Sequence, residues 1–194
     1  MPAVTPWTPA NVVTVVRIVL VPLVVAALLL DQDGGWRVVA AGLFALAAVS
    51  DRLDGYLARR MNQVTDWGKL VDPIADKLLM GATLVTLSAL GSLPWWITVV
   101  IGVREIGITA LRLAVLRYVV IPASRGGKLK TALQSVGIGL FVLPLDHVPD
   151  WVTSVAWAVV LAAVVVTLVT GVDYLRRGWA VRRAIVPPAE LASE

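Results

Sequence analysis

Residues 51–76 read DRLDGYLARRMNQVTDWGKLVDPIAD, placing four aspartates in a chain otherwise suited to hydrocarbon. Asp51 and Asp54 are three residues apart and Asp72 and Asp76 four apart, so each pair shares one face of a helix. Carboxylates within a membrane-spanning segment are costly and call for a compensating charge. The two spacings mirror each other about a turn near 61–67. At about 1.5 Å per residue, Asp51 and Asp76 both lie about 12–14 Å from that turn, with Asp54 and Asp72 at a matching shallower depth. The expectation is an antiparallel helical hairpin whose four carboxylates face one another in two layers. Oxygen-only ligands of this kind suit Mg²⁺ or Mn²⁺. Two such ions bridged by carboxylates can clamp the oxygens of a pyrophosphate undergoing displacement. Two other readings of these acids are ion pairing with Arg52, Arg59, Lys69 and Lys77, and a cation or proton path through a transporter.

Composition sets the solvent. Of 194 residues, 58% are apolar and only 15% charged, and the mean hydropathy is +0.83. A soluble domain this short cannot hide so much apolar surface, so the fold class expected is an all-α integral membrane protein. The absence of cysteine excludes disulfides and thiolate metal sites. No signal peptide is apparent in the first residues. Six spans of the roughly 20 residues needed to cross a bilayer fall near 11–30, 36–60, 68–90, 94–118, 127–145 and 151–175. They form a single domain over 1–178, with 1–10 as an interfacial segment around Trp7 and 179–194 as a short cytoplasmic tail, surface-bound or disordered.

Basic residues then orient the spans. The connections after spans two and four, with the C-terminal tail, hold Arg59, Arg60, Lys69, Arg117, Arg125, Lys128, Lys130, Arg176, Arg177, Arg182 and Arg183; the other connections hold only Arg37. By the positive-inside rule both termini are cytoplasmic, in a cell (inner or plasma) membrane, and the acidic hairpin opens towards the cytoplasm. Trp36, Trp95, Trp96 and Trp151 fall at the opposite helix ends, as an outer aromatic belt does.

The hairpin matches D-x2-D-G-x2-A-R-x8-G-x3-D-x3-D throughout, at Asp51, Asp54, Gly55, Ala58, Arg59, Gly68, Asp72 and Asp76. This resembles the signature of the CDP-alcohol phosphotransferases, membrane enzymes that make phospholipid headgroups. The resemblance implies a six-helix fold with a cytoplasm-facing polar cavity, usually as a homodimer. It implies that Asp51, Asp54, Asp72 and Asp76 hold two Mg²⁺ or Mn²⁺ ions, with Asp76 also the general base. Gly55, Ala58, Arg59, Thr65 and Gly68 would line the CDP-lipid site, with Asn11 and Thr14 of the first span at its edge. A plain reading of Asn11 is a helix cap with a tolerated Thr14.

The acceptor alcohol is sought in spans four and five. Arg104, Ile108 and Arg112 recur along one helix face, with Glu105 beside them, and Arg104 stands about 15 Å into its span. So deep an arginine either pairs with Glu105 or Asp54 or binds an anionic substrate. Lys128 and Lys130 follow Gly126-Gly127 at a helix start, a setting that suits phosphate, although positive-inside bias also places lysines there. The blocks at 104–112, 127–134 and 62–79 are similar to bacterial phosphatidylglycerophosphate synthases. That similarity implies transfer of a phosphatidyl group from CDP-diacylglycerol to sn-glycerol 3-phosphate, giving phosphatidylglycerophosphate and CMP, with Arg104, Arg112, Lys128 and Lys130 on the acceptor phosphate. Another polar acceptor such as inositol phosphate is the alternative, and a cation transporter a distant one. A membrane prenyltransferase spaces its aspartates differently. Membrane lipids are expected partners and nucleic acid is not.

Overall fold

A computed structural model describes residues 9–31, 34–60, 66–115 and 125–185, with side chains over 11–31, 34–50, 71–110 and 126–176. Among these residues the chain is helical throughout. The helices are α1 (Pro9–Leu29), α2 (Gly35–Arg60), α3 (Asp66–Ala89), α4 (Trp95–Val115), α5 (Arg125–Val142) and α6 (Asp150–Ile185), with a single 3₁₀ turn at Leu145–His147. Each coincides with one of the six apolar runs in the sequence. The last one differs: α6 continues to Ile185, beyond the predicted end near 175. No proline interrupts it before Pro187, so nothing local stops the helix sooner.

Two helices, Asn11–Leu29 and Asp150–Arg176, are long and apolar enough by themselves to cross a bilayer among the described residues. Three of the other helices carry charges within their apolar runs: Asp72, Asp76 and Lys77 on α3, Arg104 and Glu105 on α4, and Lys128 and Lys130 on α5. Those same helices carry exposed apolar side chains, including Ile74, Leu78, Val99, Val103 at 68% and Ile106 at 73% exposure. Such a surface is unstable in water, and it turns outward here because polar groups face inward.

α1 packs against both α2 and α3, α6 against α4 and α5, and α5 bridges to α2 and α3. The core runs through Val24, Leu28, Phe44, Leu79, Leu87, Ile97, Ile138, Phe141 and Val160. Phe141 meets Trp157 edge-on, with ring centroids 5.1 Å apart. Small residues set how closely helices approach. A Cβ added to Gly137 would lie 3.2 Å from Val160 Cα, so α5 and α6 touch backbone to backbone there.

The turns are pinned by local chemistry. At the end of α3, Gly91 adopts φ +74°; its N–H donates to Ser88 O at 3.1 Å and that of Ser92 to Leu87 O at 2.9 Å. This pairing satisfies the last carbonyls of the helix. Between α1 and α2, Asp31 Oδ1 accepts the Arg37 backbone N–H at 3.0 Å. Arg37 also donates to Ser92, tying the α1–α2 and α3–α4 connections together.

Replacing Gly137 by Val is expected to cost about 1–3 kcal/mol of stability, seen as a lower melting temperature of the purified protein. Gly102→Ala, with nothing within 4 Å of the added carbon, should melt as the wild type does. Equal melting of all three proteins would contradict the close α5–α6 contact.

Candidate functional site

α1 is apolar except for Asn11, Thr14 and Arg17, which recur every three residues and are all buried, Arg17 completely. This spacing places the three on one face, the face α1 turns into the bundle. Thr14 Oγ1 donates to Asp72 Oδ1 at 2.5 Å, so the first helix supports an aspartate of the third directly. Helix α1 begins at Pro9, where a missing N–H costs nothing, so Asn11 lies within the first turn and does not cap it. The cap reading of Asn11 is thereby corrected: its polar side chain is buried inside the bundle.

Asp72 and Asp76 stand one turn apart on α3. Asp51, Asp54, Gly55, Ala58 and Arg59 are carried by α2 and Gly68 by α3, but their side chains lie outside the described residues, as does Thr65 altogether. No three acids or histidines converge among the described residues, because half of the expected quartet falls on that undescribed part. The half that is described fits a hard divalent cation: Asp72 and Asp76 offer only carboxylate oxygens, and Asp72 keeps Oδ2 beyond its bond to Thr14.

Beside Asp76 opens a cavity of about 890 Å³. Its charged part is lined by Asp76 and Lys77 of α3, Arg104 and Glu105 of α4, and Lys128 and Lys130 of α5. Its remaining wall is mostly apolar, with Ala41, Phe44, Ala45, Ala48 and Val49 of α2, Ile108 of α4, Val136, Gly139 and Leu140 of α5 and Leu143 just beyond it, broken by the hydroxyls of Thr109, Thr131, Ser135 and Tyr174. Three of the four residues expected to hold an acceptor phosphate therefore share one space with the expected base. The fourth, Arg112, lies on α4 with its side chain outside the described residues.

The cations are held in distinct ways. Glu105 Oε1 accepts from Arg104 Nη1 at 3.2 Å and also from Lys130 Nζ, so one carboxylate oxygen joins α4 to α5. Arg104 Nη2 reaches Thr170 Oγ1 of α6 at 3.0 Å. Its guanidinium carbon sits 5.9 Å from the centre of the Tyr174 ring, within cation–π range. Between them Gly171 leaves room for the arginine stem: a Cβ there would lie 3.4 Å from Arg104 Cγ. Gln134 donates to Thr167 at 3.0 Å, adding a polar tie between α5 and α6. Lys77 Nζ donates to Thr109 Oγ1, whose own proton goes to Glu105 O at 2.6 Å. Lys77 and Lys128 are exposed, whereas Lys130 is buried.

Of the two pairings expected for Arg104, the one with Glu105 is present, and the arginine still lines the cavity. Four contributors escaped the sequence reading. Arg17 was signalled by the three-residue recurrence with Asn11 and Thr14. Lys77 adjoins the last aspartate and was legible only as an ion-pair partner. Thr170 and Tyr174 sit in a run that reads as generically apolar, where no local pattern announces a contact made 66 residues away in sequence.

Comparison with known proteins fits this arrangement. The sequence model of one family, CDP-alcohol phosphatidyltransferase, matches residues 7–169. A probable phosphatidylglycerophosphate synthase of Mycobacterium tuberculosis (strain ATCC 25618 / H37Rv) is 53% identical over 170 residues, covering 87% of this chain and 80% of the relative. A CDP-diacylglycerol–glycerol-3-phosphate 3-phosphatidyltransferase of Bacillus subtilis (strain 168) is 34% identical over 183 residues, covering 87% and 94%. One of the same description from Rickettsia felis is 33% identical over 169 residues, covering 86% and 92%.

Proposed function

We propose that this chain, which belongs to the CDP-alcohol phosphatidyltransferase family, transfers the phosphatidyl group of CDP-diacylglycerol to sn-glycerol 3-phosphate. The products are phosphatidylglycerophosphate and CMP. Relatives described by this activity align along most of the chain. The observation that carries the reading is the single cavity shared by Asp76, Arg104, Lys128 and Lys130. It sets a carboxylate able to take a proton beside cations suited to a phosphate, next to an apolar wall suited to a lipid donor.

In this reading the phosphate of the acceptor rests against Lys128, Lys130 and Arg104, with Arg112 completing the set. Its free primary hydroxyl is thereby brought to Asp76, which accepts the proton at a carboxylate oxygen as the hydroxyl oxygen attacks the β-phosphorus. An oxygen–phosphorus bond forms, the bond from that phosphorus to the bridging oxygen breaks, and CMP departs with the bridging oxygen. Asn11, Thr14, Gly55, Ala58, Arg59, Thr65 and Gly68 line the nucleotide side. Asp51, Asp54, Asp72 and Asp76 would hold two Mg²⁺ or Mn²⁺ ions, whose charge would neutralise the pyrophosphate. The six helices all cross the cell membrane, both termini and the site lie on the cytoplasmic side, and the working unit is a homodimer. Charge placement along the sequence supports this orientation.

The test is CMP release by purified protein in CDP-diacylglycerol micelles, with and without glycerol 3-phosphate. Release that depends on that acceptor and stops with a chelator is expected; release with inositol phosphate alone would refute the acceptor. Asp76→Asn should lower kcat by at least about 100-fold with unchanged melting, and retention of a tenth of the activity would remove Asp76 as base. Lys128→Ala should raise KM for glycerol 3-phosphate by about tenfold while KM for CDP-diacylglycerol stays within twofold. An effect confined to the lipid donor would move Lys128 out of the acceptor site.

A further inference from the structure

Glu105 holds more of this site together than a counter-ion needs to. Its Oε1 takes hydrogen bonds from both Arg104 and Lys130. Its Oε2 takes none among the described residues, although the side chain remains 26% exposed and lines the cavity with Asp76. The three groups together carry one net positive charge, so Oε2 is no site for another cation. Nor is it one for phosphate, which a carboxylate repels. The chemistry that suits a partly exposed carboxylate oxygen, on a group whose other oxygen already holds two cations, is a neutral hydroxyl donor.

The acceptor supplies one. Glycerol 3-phosphate has a reacting hydroxyl on a terminal carbon, a phosphate on the other terminal carbon, and a non-reacting hydroxyl between them. Asp76 and the cations account for the two ends. The middle hydroxyl is what separates this alcohol from an unbranched chain, and its placement separates the molecule from its mirror image. Reading it takes a third point of contact. Two threonine hydroxyls of the wall are committed elsewhere, Thr109 donating to Glu105 O at 2.6 Å and Thr131 to Gly127 O at 3.1 Å, which leaves Ser135 as the competing hydroxyl that the experiment must test. We propose that Glu105 Oε2 accepts a hydrogen bond from the middle hydroxyl of the acceptor, making Glu105 the residue that selects a glycerol phosphate over a deoxy analogue. This rests on the acceptor proposed above.

The experiment compares kcat/KM for sn-glycerol 3-phosphate and for 3-hydroxypropyl phosphate, which lacks only the middle hydroxyl, at saturating CDP-diacylglycerol. The ratio cancels any loss of folded protein, any damage to the donor site and any change in phosphate binding common to both acceptors. Wild type should prefer glycerol 3-phosphate by about tenfold or more, because a site built around a hydroxyl rejects the analogue without it. In Glu105→Met the preference should fall to within threefold. Glu105→Gln keeps an oxygen for Arg104 and Lys130 and should lower the ratio severalfold, which carries the test if the Met variant does not accumulate. Ser135→Ala, the matched control on the same wall, should keep the wild-type ratio. An unchanged ratio in both Glu105 variants, a wild type indifferent to the middle hydroxyl, or loss of preference in Ser135→Ala overturns the assignment. Failure of the wild type to use glycerol 3-phosphate at all would instead overturn the acceptor, and this proposal with it.

Discussion

Charge placed among apolar helices must be met by opposite charge or by hydrogen bonds, and that requirement organises the molecule. A lone ion in such surroundings is too costly to persist. Here one oxygen of Glu105 serves Arg104 of its own helix and Lys130 of α5, and Arg104 extends to Thr170 and Tyr174 of α6. On the other side of the bundle, Thr14 of α1 meets Asp72 of α3. These contacts tie together helices whose apolar surfaces would fit many registers. The core supplies adhesion, Gly137 sets the α5–α6 distance, and the polar contacts fix which side chains face the cavity.

The cavity divides along the same line. One part is charged and draws on three helices; the rest is mostly apolar, walled by alanine, valine, glycine and leucine with Phe44 and Ile108. A reaction joining a lipid-linked donor to a water-soluble phosphate needs both environments within bonding distance of one proton acceptor. The proposed chemistry asks little covalent work of the protein. It asks for positioning of two anionic substrates and a place for one proton, which preorganised cations and a carboxylate provide.

Much of this was legible from residue order. The six helices follow the apolar runs, because a helix satisfies its backbone groups within the segment itself. Asp72, Asp76, Arg104, Lys128 and Lys130 stood out because charge is rare in such runs. What stayed hidden depends on approach between distant segments. Tyr174 and Thr170 follow a long apolar run on α6, and only the packing of α4 on α6 gives them Arg104 to hold. Asn11 read equally well as a cap until the start of α1 at Pro9 put it inside the helix. The second acceptor oxygen of Glu105 could not be inferred from its position next to Arg104, because its role follows from what Oε1 is already doing.

The most direct test of the central claim, that one cavity serves both proton acceptor and acceptor phosphate, is an experimental structure of the Asp76→Asn protein with glycerol 3-phosphate bound. The account predicts density for the phosphate against Lys128, Lys130 and Arg104, with the free primary hydroxyl within hydrogen-bond distance of residue 76. Density for the phosphate on any other surface, or a hydroxyl directed away from residue 76, would contradict it.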